Sequence, residues 1–263
     1  MTSNEVYPRS ALALAVVELR HPSTEPLSSS ALGLIKAGLA AVTPIQRWEE
    51  VMTIDVQSGT QEVRRFPKFI SRDQRTAVSF RTEAIAVETT NYEGFAGFRD
   101  VVETAVRVRH DVDPLDAIER VGLRYIDEVR VPVAGPVAWG DWISPKLLGP
   151  DAPHSSEFLS VVQQQGVTVF AAQTPGDSIT LRYGLGEGQA VVGSPNLARP
   201  GEFSGPFFLI DIDGAWAAPE GMIPEFDVDD VIGACTRLHG PIKDVFESLV
   251  SEKLRNEVFR NVI

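Results

Sequence analysis

The sequence has a single cysteine, Cys235, among 263 residues. An internal disulfide is therefore excluded, and so are most thiolate metal sites. Its histidines, His21, His110, His154 and His239, are scattered and form no H-x-x-x-H or H-E-x-x-H arrangement. There is no G-x-S-x-G elbow and no Gly-Lys-Ser or Gly-Lys-Thr turn. Basic charge is also short, with 24 Lys and Arg against 36 Asp and Glu, a net charge of −12. A binder of duplex nucleic acid needs basic surface to displace counterions, so that class is not expected. Long apolar runs are missing too. The run over 11–17 ends at Glu18 and the run over 31–42 is interrupted by Lys36, well short of the roughly 20 apolar residues of a spanning helix. Glu5 stands where a signal peptide carries basic charge. Together these absences predict a cytoplasmic protein with no membrane segment and no cofactor, in a reducing compartment.

What remains is an ordinary globular composition, 43% hydrophobic and 23% charged. A strand is predicted over 11–20. Ser28, Ser29 and Ser30 then offer caps for a helix over 31–42. Strands follow over 45–56, 62–70 and 76–88, and Pro67 suits an edge position because proline cannot donate to a ladder. Phe95, Phe98, Val102 and Ala105 share one stripe of a helix over 92–108. The clearest strand covers 117–131. Val121, Leu123, Tyr125, Val129 and Val131 lie on one face, with Arg120, Arg124, Glu128 and Arg130 on the other. Proline and glycine crowd 132–153 without helical or strand periodicity.

Strands over 166–173 and 178–184, joined by a Pro-Gly turn, are followed by one over 207–217. A last helix starts near Asp227 and runs to Leu249, with Gly240 and Pro241 expected to kink or divide it. This order indicates an α+β fold, with antiparallel sheets and a few long helices. The division expected is an N-terminal half over 1–133, a connection over 134–154 and a C-terminal half over 155–263, forming one compact unit. Leu123, Arg124 and Tyr125 are echoed by Leu181, Arg182 and Tyr183, which suggests two related halves.

For chemistry, Gly184, Gly186 and Gly188 follow a strand and lead into no helix, so they do not form a phosphate loop. Asp211 and Asp213 point to one face of a strand about 6–7 Å apart. They are weak metal candidates, with no third ligand in the pattern. His110 reads as a helix C-terminal residue and Cys235 as a core residue. Arg120, Arg124 and Arg130 alternate along one strand, and with Arg182 they would line one sheet face if their strands are neighbours, in a geometry suited to carboxylate or phosphate. The competing reading has Glu119 and Glu128 neutralising them across an exposed face. Trp139 and Trp142, in the proline-rich connection, either cover the core or anchor a partner protein.

Several segments together resemble a sporadically distributed bacterial family in which no activity is established. They are the early apolar strand, Tyr92 with Phe95 and Phe98, the run from Arg120 to Asp127 containing Arg-x-Gly-Leu-Arg-Tyr, the Leu238–Ile242 stretch, and Phe246 with Glu247. Asp127 stands where the family pattern has asparagine. The resemblance implies one intact protein and, from its patchy distribution, a place in defence or toxin–antitoxin-like systems. It carries no catalytic residues. The function expected is thus a non-enzymatic binding or accessory protein, with a protein partner or a second copy of itself. The alternative is a sensor or enzyme that takes a small anionic ligand, a nucleotide or phosphorylated metabolite, on the arginine face.

Overall fold

The computed structural model describes residues 7–54, 61–133, 135–149, 161, 163–201 and 203–261. Alternating buried and half-buried side chains form β1 (Leu12–Arg20). Ser28 caps α1 (Ser29–Gly38), its Oγ accepting from the Ala31 N–H at 3.2 Å. Next come β2 (Ile45–Ile54), β3 (Gln61–Ile70), β4 (Thr76–Phe80) and β5 (Ala84–Thr89). The single strand expected over 76–88 is therefore two strands. The Arg81 N–H bonds the Ala84 carbonyl and closes a hairpin that the even β-propensity of the run concealed. α2 (Phe95–Val112) and β6 (Arg120–Val129) follow, then β7 (Gln165–Ala171), β8 (Asp177–Glu187) and β9 (Pro206–Ala217). α3 (Val228–Leu249), the single turn α4 (Glu252–Leu254) and a π-helical turn over Arg255–Phe259 complete the described elements.

All strands join one nine-stranded sheet in the order β2-β3-β4-β5-β1-β6-β9-β8-β7, and every pairing is antiparallel. With the helices gathered beside it, this is an α+β architecture. Pro67 lies in an interior strand, yet β4 pairs only with Lys68–Ile70, so β3 is locally an edge at the proline.

α2 packs on β5 and α3, and α3 packs on β6, β8 and β9. The apolar face of β6 and that of β9 (Leu123, Tyr125, Ile210, Ile212) meet Val102, Ala105, Leu238 and Ile242 in the core. At Gly214 a Cβ atom would come within 2.8 Å of Ile242 Cδ1, so the glycine lets α3 close on β9. Asp227 caps α3 as expected, accepting from Asp229 and Asp230 at 2.7 and 3.1 Å.

The expected division of this helix at Gly240 and Pro241 does not occur, because α3 runs unbroken through Pro241. Leu238 and Ile242 are both buried beside the proline, and that burial offsets its cost of about 3 kcal/mol. The described part of the proline-rich connection forms two 3₁₀ turns, Trp139–Asp141 and Pro145–Leu147, while Pro150, Pro153 and His154 lie outside the described residues. No described helix is long and apolar enough to cross a membrane.

Candidate ligand-binding site

The arginine strands do come together: β6 and β8 flank β9, with Arg124 opposite Asp213 and Arg182 opposite Asp211. The alternation that puts the three arginines on one face puts the two aspartates there as well. Arg124 donates from Nε and Nη2 to the two oxygens of Asp211, each at 2.7 Å. Arg182 stands 3.9 Å from the same carboxylate. Arg120 stands 3.5 Å from Glu18 and 3.5 Å from Asp213. The acids that neutralise these three are therefore Glu18, Asp211 and Asp213 rather than Glu119, while Glu128 neutralises Arg130 of the same strand face at 2.8 Å. Three guanidiniums face three carboxylates, which leaves no surplus positive charge for an anion. Both oxygens of Asp211 are occupied by Arg124, which removes the Asp211–Asp213 pair as a metal candidate. No group of three His, Cys, Asp or Glu among the described residues is placed to hold a metal ion.

Trp142 is 3% exposed and belongs to the core, with Lys253 Nζ 4.2 Å above its ring. The expectation of an exposed partner anchor is corrected there, since an indole this buried presents nothing to a partner. Trp139 is half-buried and leans on Phe208, ring centres 5.6 Å apart. Cys235 sits on the buried side of α3, and burial pushes its thiol up to about 12.

A different set of residues encloses a cavity of about 480 Å³ between the sheet and the two long helices. That is within the roughly 300–1,000 Å³ range of small-ligand pockets. Strand alternation puts Tyr125 and Asp127 of β6 on the same, helix-covered face. Helical spacing puts His239, Lys243 and Phe246 of α3 on one stripe. Gly94 supplies the third wall. Its φ of 128° lies in the region L side chains rarely adopt, and it opens α2 with no side-chain cap. The chain thus delivers Tyr92 and Phe95 to either side of the turn.

The phenols and the imidazole form a chain: Tyr92 Oη lies 3.2 Å from Tyr125 Oη, which lies 3.1 Å from His239 Nδ1. Phe95 stacks on the His239 ring at 4.1 Å, nearly coplanar at 4°, while Tyr92 meets Tyr125 edge-on at 5.4 Å. Burial, with Lys243 adding to it, brings His239 down to about 4, so the imidazole is neutral at pH 7. Burial likewise raises both phenols far above neutrality.

Asp127 is the exception in this satisfied network. It is 5% exposed, lines the cavity, and makes no side-chain hydrogen bond or ion pair to any described residue. Burial pushes its carboxyl up to about 8, and the Asp211 carboxylate adds to the effect. None of these groups stood out as a site in the sequence. No family model matches the chain, and no curated protein matches it.

Proposed function

We propose that the protein is a receptor for a small organic ammonium ligand, bound in the cavity with its charged nitrogen on Asp127. The observation that carries this reading is a buried carboxyl in an aromatic cleft, without a partner among the described residues. Buried polar groups are almost always hydrogen-bonded, and a protonated amine would supply both the hydrogen bond and the opposite charge. Glu247 is paired with Arg255 at 3.0 Å, so with Asp127 ionised, Asp127 and Glu93 stand against Lys243 along the described lining, which favours a cation. Tyr92, Phe95, Tyr125 and Phe246 offer rings to its carbon skeleton and cation–π attraction to its nitrogen.

The strand order also supports reading the sheet as two related halves meeting at β1 and β6. The boundary then lies between α2 and β6 rather than at 134–154, so the Leu-Arg-Tyr echo of β6 and β8 falls within one half. Each half places its first strand innermost and its last strand next to it, and each ends in a helix, α2 or α3. The cavity then lies where the two closing helices meet.

Calorimetry with 2-phenylethylamine, 2-phenylethanol and 3-phenylpropionate tests the reading. The amine is expected to bind at least tenfold more tightly than the alcohol of the same shape, and the acid not at all. At pH 7 the carboxyl proton leaves for solvent as the ammonium pairs with the carboxylate. Binding should therefore release close to one proton, visible as a dependence of the measured heat on the buffer's ionisation enthalpy. A tryptophan at Gly97, where a Cβ atom meets nothing within 4 Å, should block the site. Equal binding of amine and alcohol, or binding unaffected by Gly97→Trp, would overturn the proposal.

A second reading, self-association through β7, is favoured by a contrast between the sheet's two edges. β2 carries Arg47, Glu49 and Glu50, whereas β7 has no charged residue and exposes Val167 at 65% and Val169 at 67%. Charged edges resist strand addition and uncharged ones invite it. Light scattering coupled to gel filtration should then show a dimer that Val169→Lys converts to monomer; a monomeric wild type would end this reading.

A further inference from the structure

A second cavity, of about 280 Å³, borders the same N-terminal segment and has the opposite electrostatic character. Its charged lining is Arg9, Arg75, Arg130 and Arg199 against one acid, Glu128. That acid's oxygens are already engaged by the Ala190 and Val191 N–H groups at 2.8 and 2.9 Å, by Arg130 at 2.8 Å, and by Arg199 at 2.7 and 2.9 Å. Among the described residues the lining therefore carries three surplus positive charges, in a chain whose net charge is −12.

Two of the arginines are held by the fold. Arg130 and Arg199 clamp Glu128, and Phe203 lies against the Arg199 guanidinium at 4.0 Å. Arg75 donates to the Thr90 carbonyl from Nη2 at 2.9 Å, but its Nε is buried without a partner. Arg9 makes no side-chain hydrogen bond or ion pair to any described residue. Ser10 and Thr90 also line the cavity, the Thr90 hydroxyl being engaged by the Ala198 carbonyl at 2.7 Å.

Converging guanidiniums repel one another unless an anion or carboxylate lies between them. Glu18, Asp211 and Asp213 meet that need for the arginines on the open face of the sheet, and no described acid meets it for Arg9 and Arg75. Guanidinium groups match the oxygens of a tetrahedral oxyanion two at a time, and hydroxyls add further donors.

We propose that this cavity is a phosphate-binding site, with Arg9 and Arg75 as its primary ligands and Arg199 and Ser10 around them. The anionic ligand anticipated from the sequence thus belongs here rather than on Arg120, Arg124 and Arg182. The proposal is independent of the ammonium site, which is read out separately through Asp127.

Titration of the full chain with inorganic phosphate, at ionic strength held constant with chloride, tests it. Phosphate is expected to raise the melting temperature in a saturable way. Arg9→Ala should weaken the apparent affinity at least fivefold and Arg9→Glu should abolish it. Lys36→Ala, which removes one exposed positive charge from α1, should change nothing. Arg9 is on the surface, so its variants test binding without compromising the fold. A phosphomonoester such as glycerol 1-phosphate forms the second arm. Tighter binding than inorganic phosphate assigns the site to a phosphorylated metabolite, and equal binding assigns it to the free ion. A phosphate response no larger than that of chloride, or an equal loss in Arg9→Ala and Lys36→Ala, would overturn the proposal.

Discussion

Replacing Asp127 with asparagine is expected to make the protein more stable, and only above about pH 4. Burial raises this carboxyl from its ordinary value near 3.8 to about 8. Between those values the folded chain holds a proton that the unfolded chain releases, so folding weakens as pH rises through that window. Asparagine has no such proton, so the gap between variant and wild type should be near zero at pH 4 and largest at pH 8. At about 1.4 kcal/mol per pKa unit, and allowing for water in the cavity, the gain should be about 2–4 kcal/mol at pH 8. Urea denaturation at pH 4, 6 and 8 measures it. The same variant should lose ammonium binding, the combination expected when a site keeps a destabilising group for its chemistry. An Asp127→Asn protein no more stable than wild type at pH 8 would show that the carboxyl is not desolvated as its surroundings indicate.

Glu128→Gln should have the largest effect in the other direction. Glu128 is the neighbour of Asp127 in β6, but alternation sends it to the opposite face, where it receives five donors from Arg130, Arg199, Ala190 and Val191. Burial by itself would raise its pKa; the hydrogen bonds from Arg199, Arg130 and the Val191 N–H outweigh burial and hold it below the ordinary value. These contacts tie the loop between β8 and β9 to the middle of the sheet. The loop is further held by the Ala198 N–H on the Gln74 carbonyl and the Thr90 hydroxyl on the Ala198 carbonyl. Glutamine keeps the shape and loses the charge, leaving two half-buried guanidiniums underpaired. Breaking a buried ion pair from one side costs about 3–5 kcal/mol. Because the folded value is depressed, the contribution of Glu128 is present above its unfolded pKa near 4.5 and fades as pH falls below it. The wild-type advantage in urea should therefore be full at pH 7 and shrink below about pH 4. Limited proteolysis should open the loop over 188–205 first. A loss under about 1 kcal/mol at pH 7 would show that other contacts hold the loop.

The contrast between these adjacent acids marks how far the sequence can be read. That residues 127 and 128 point to opposite faces follows from strand periodicity alone. That one meets five donors and the other meets none depends on which segments cover each face. The same division applies to Arg124, whose partner Asp211 lies 87 residues away. The strand carrying each was evident from its alternation, whereas their bidentate pairing required β9 to lie beside β6.

Composition, charge, the caps at Ser28 and Asp227, and the alternating faces of β1, β6 and β9 were all determined by the sequence itself. Each arises from interactions within a few residues, which a linear pattern records directly. The sheet order, the burial of Trp142, the continuity of α3 through Pro241 and both cavities were decided only by tertiary structure. They depend on which distant apolar surfaces and charges come together, and the energy of those contacts outweighs the local preferences written along the chain.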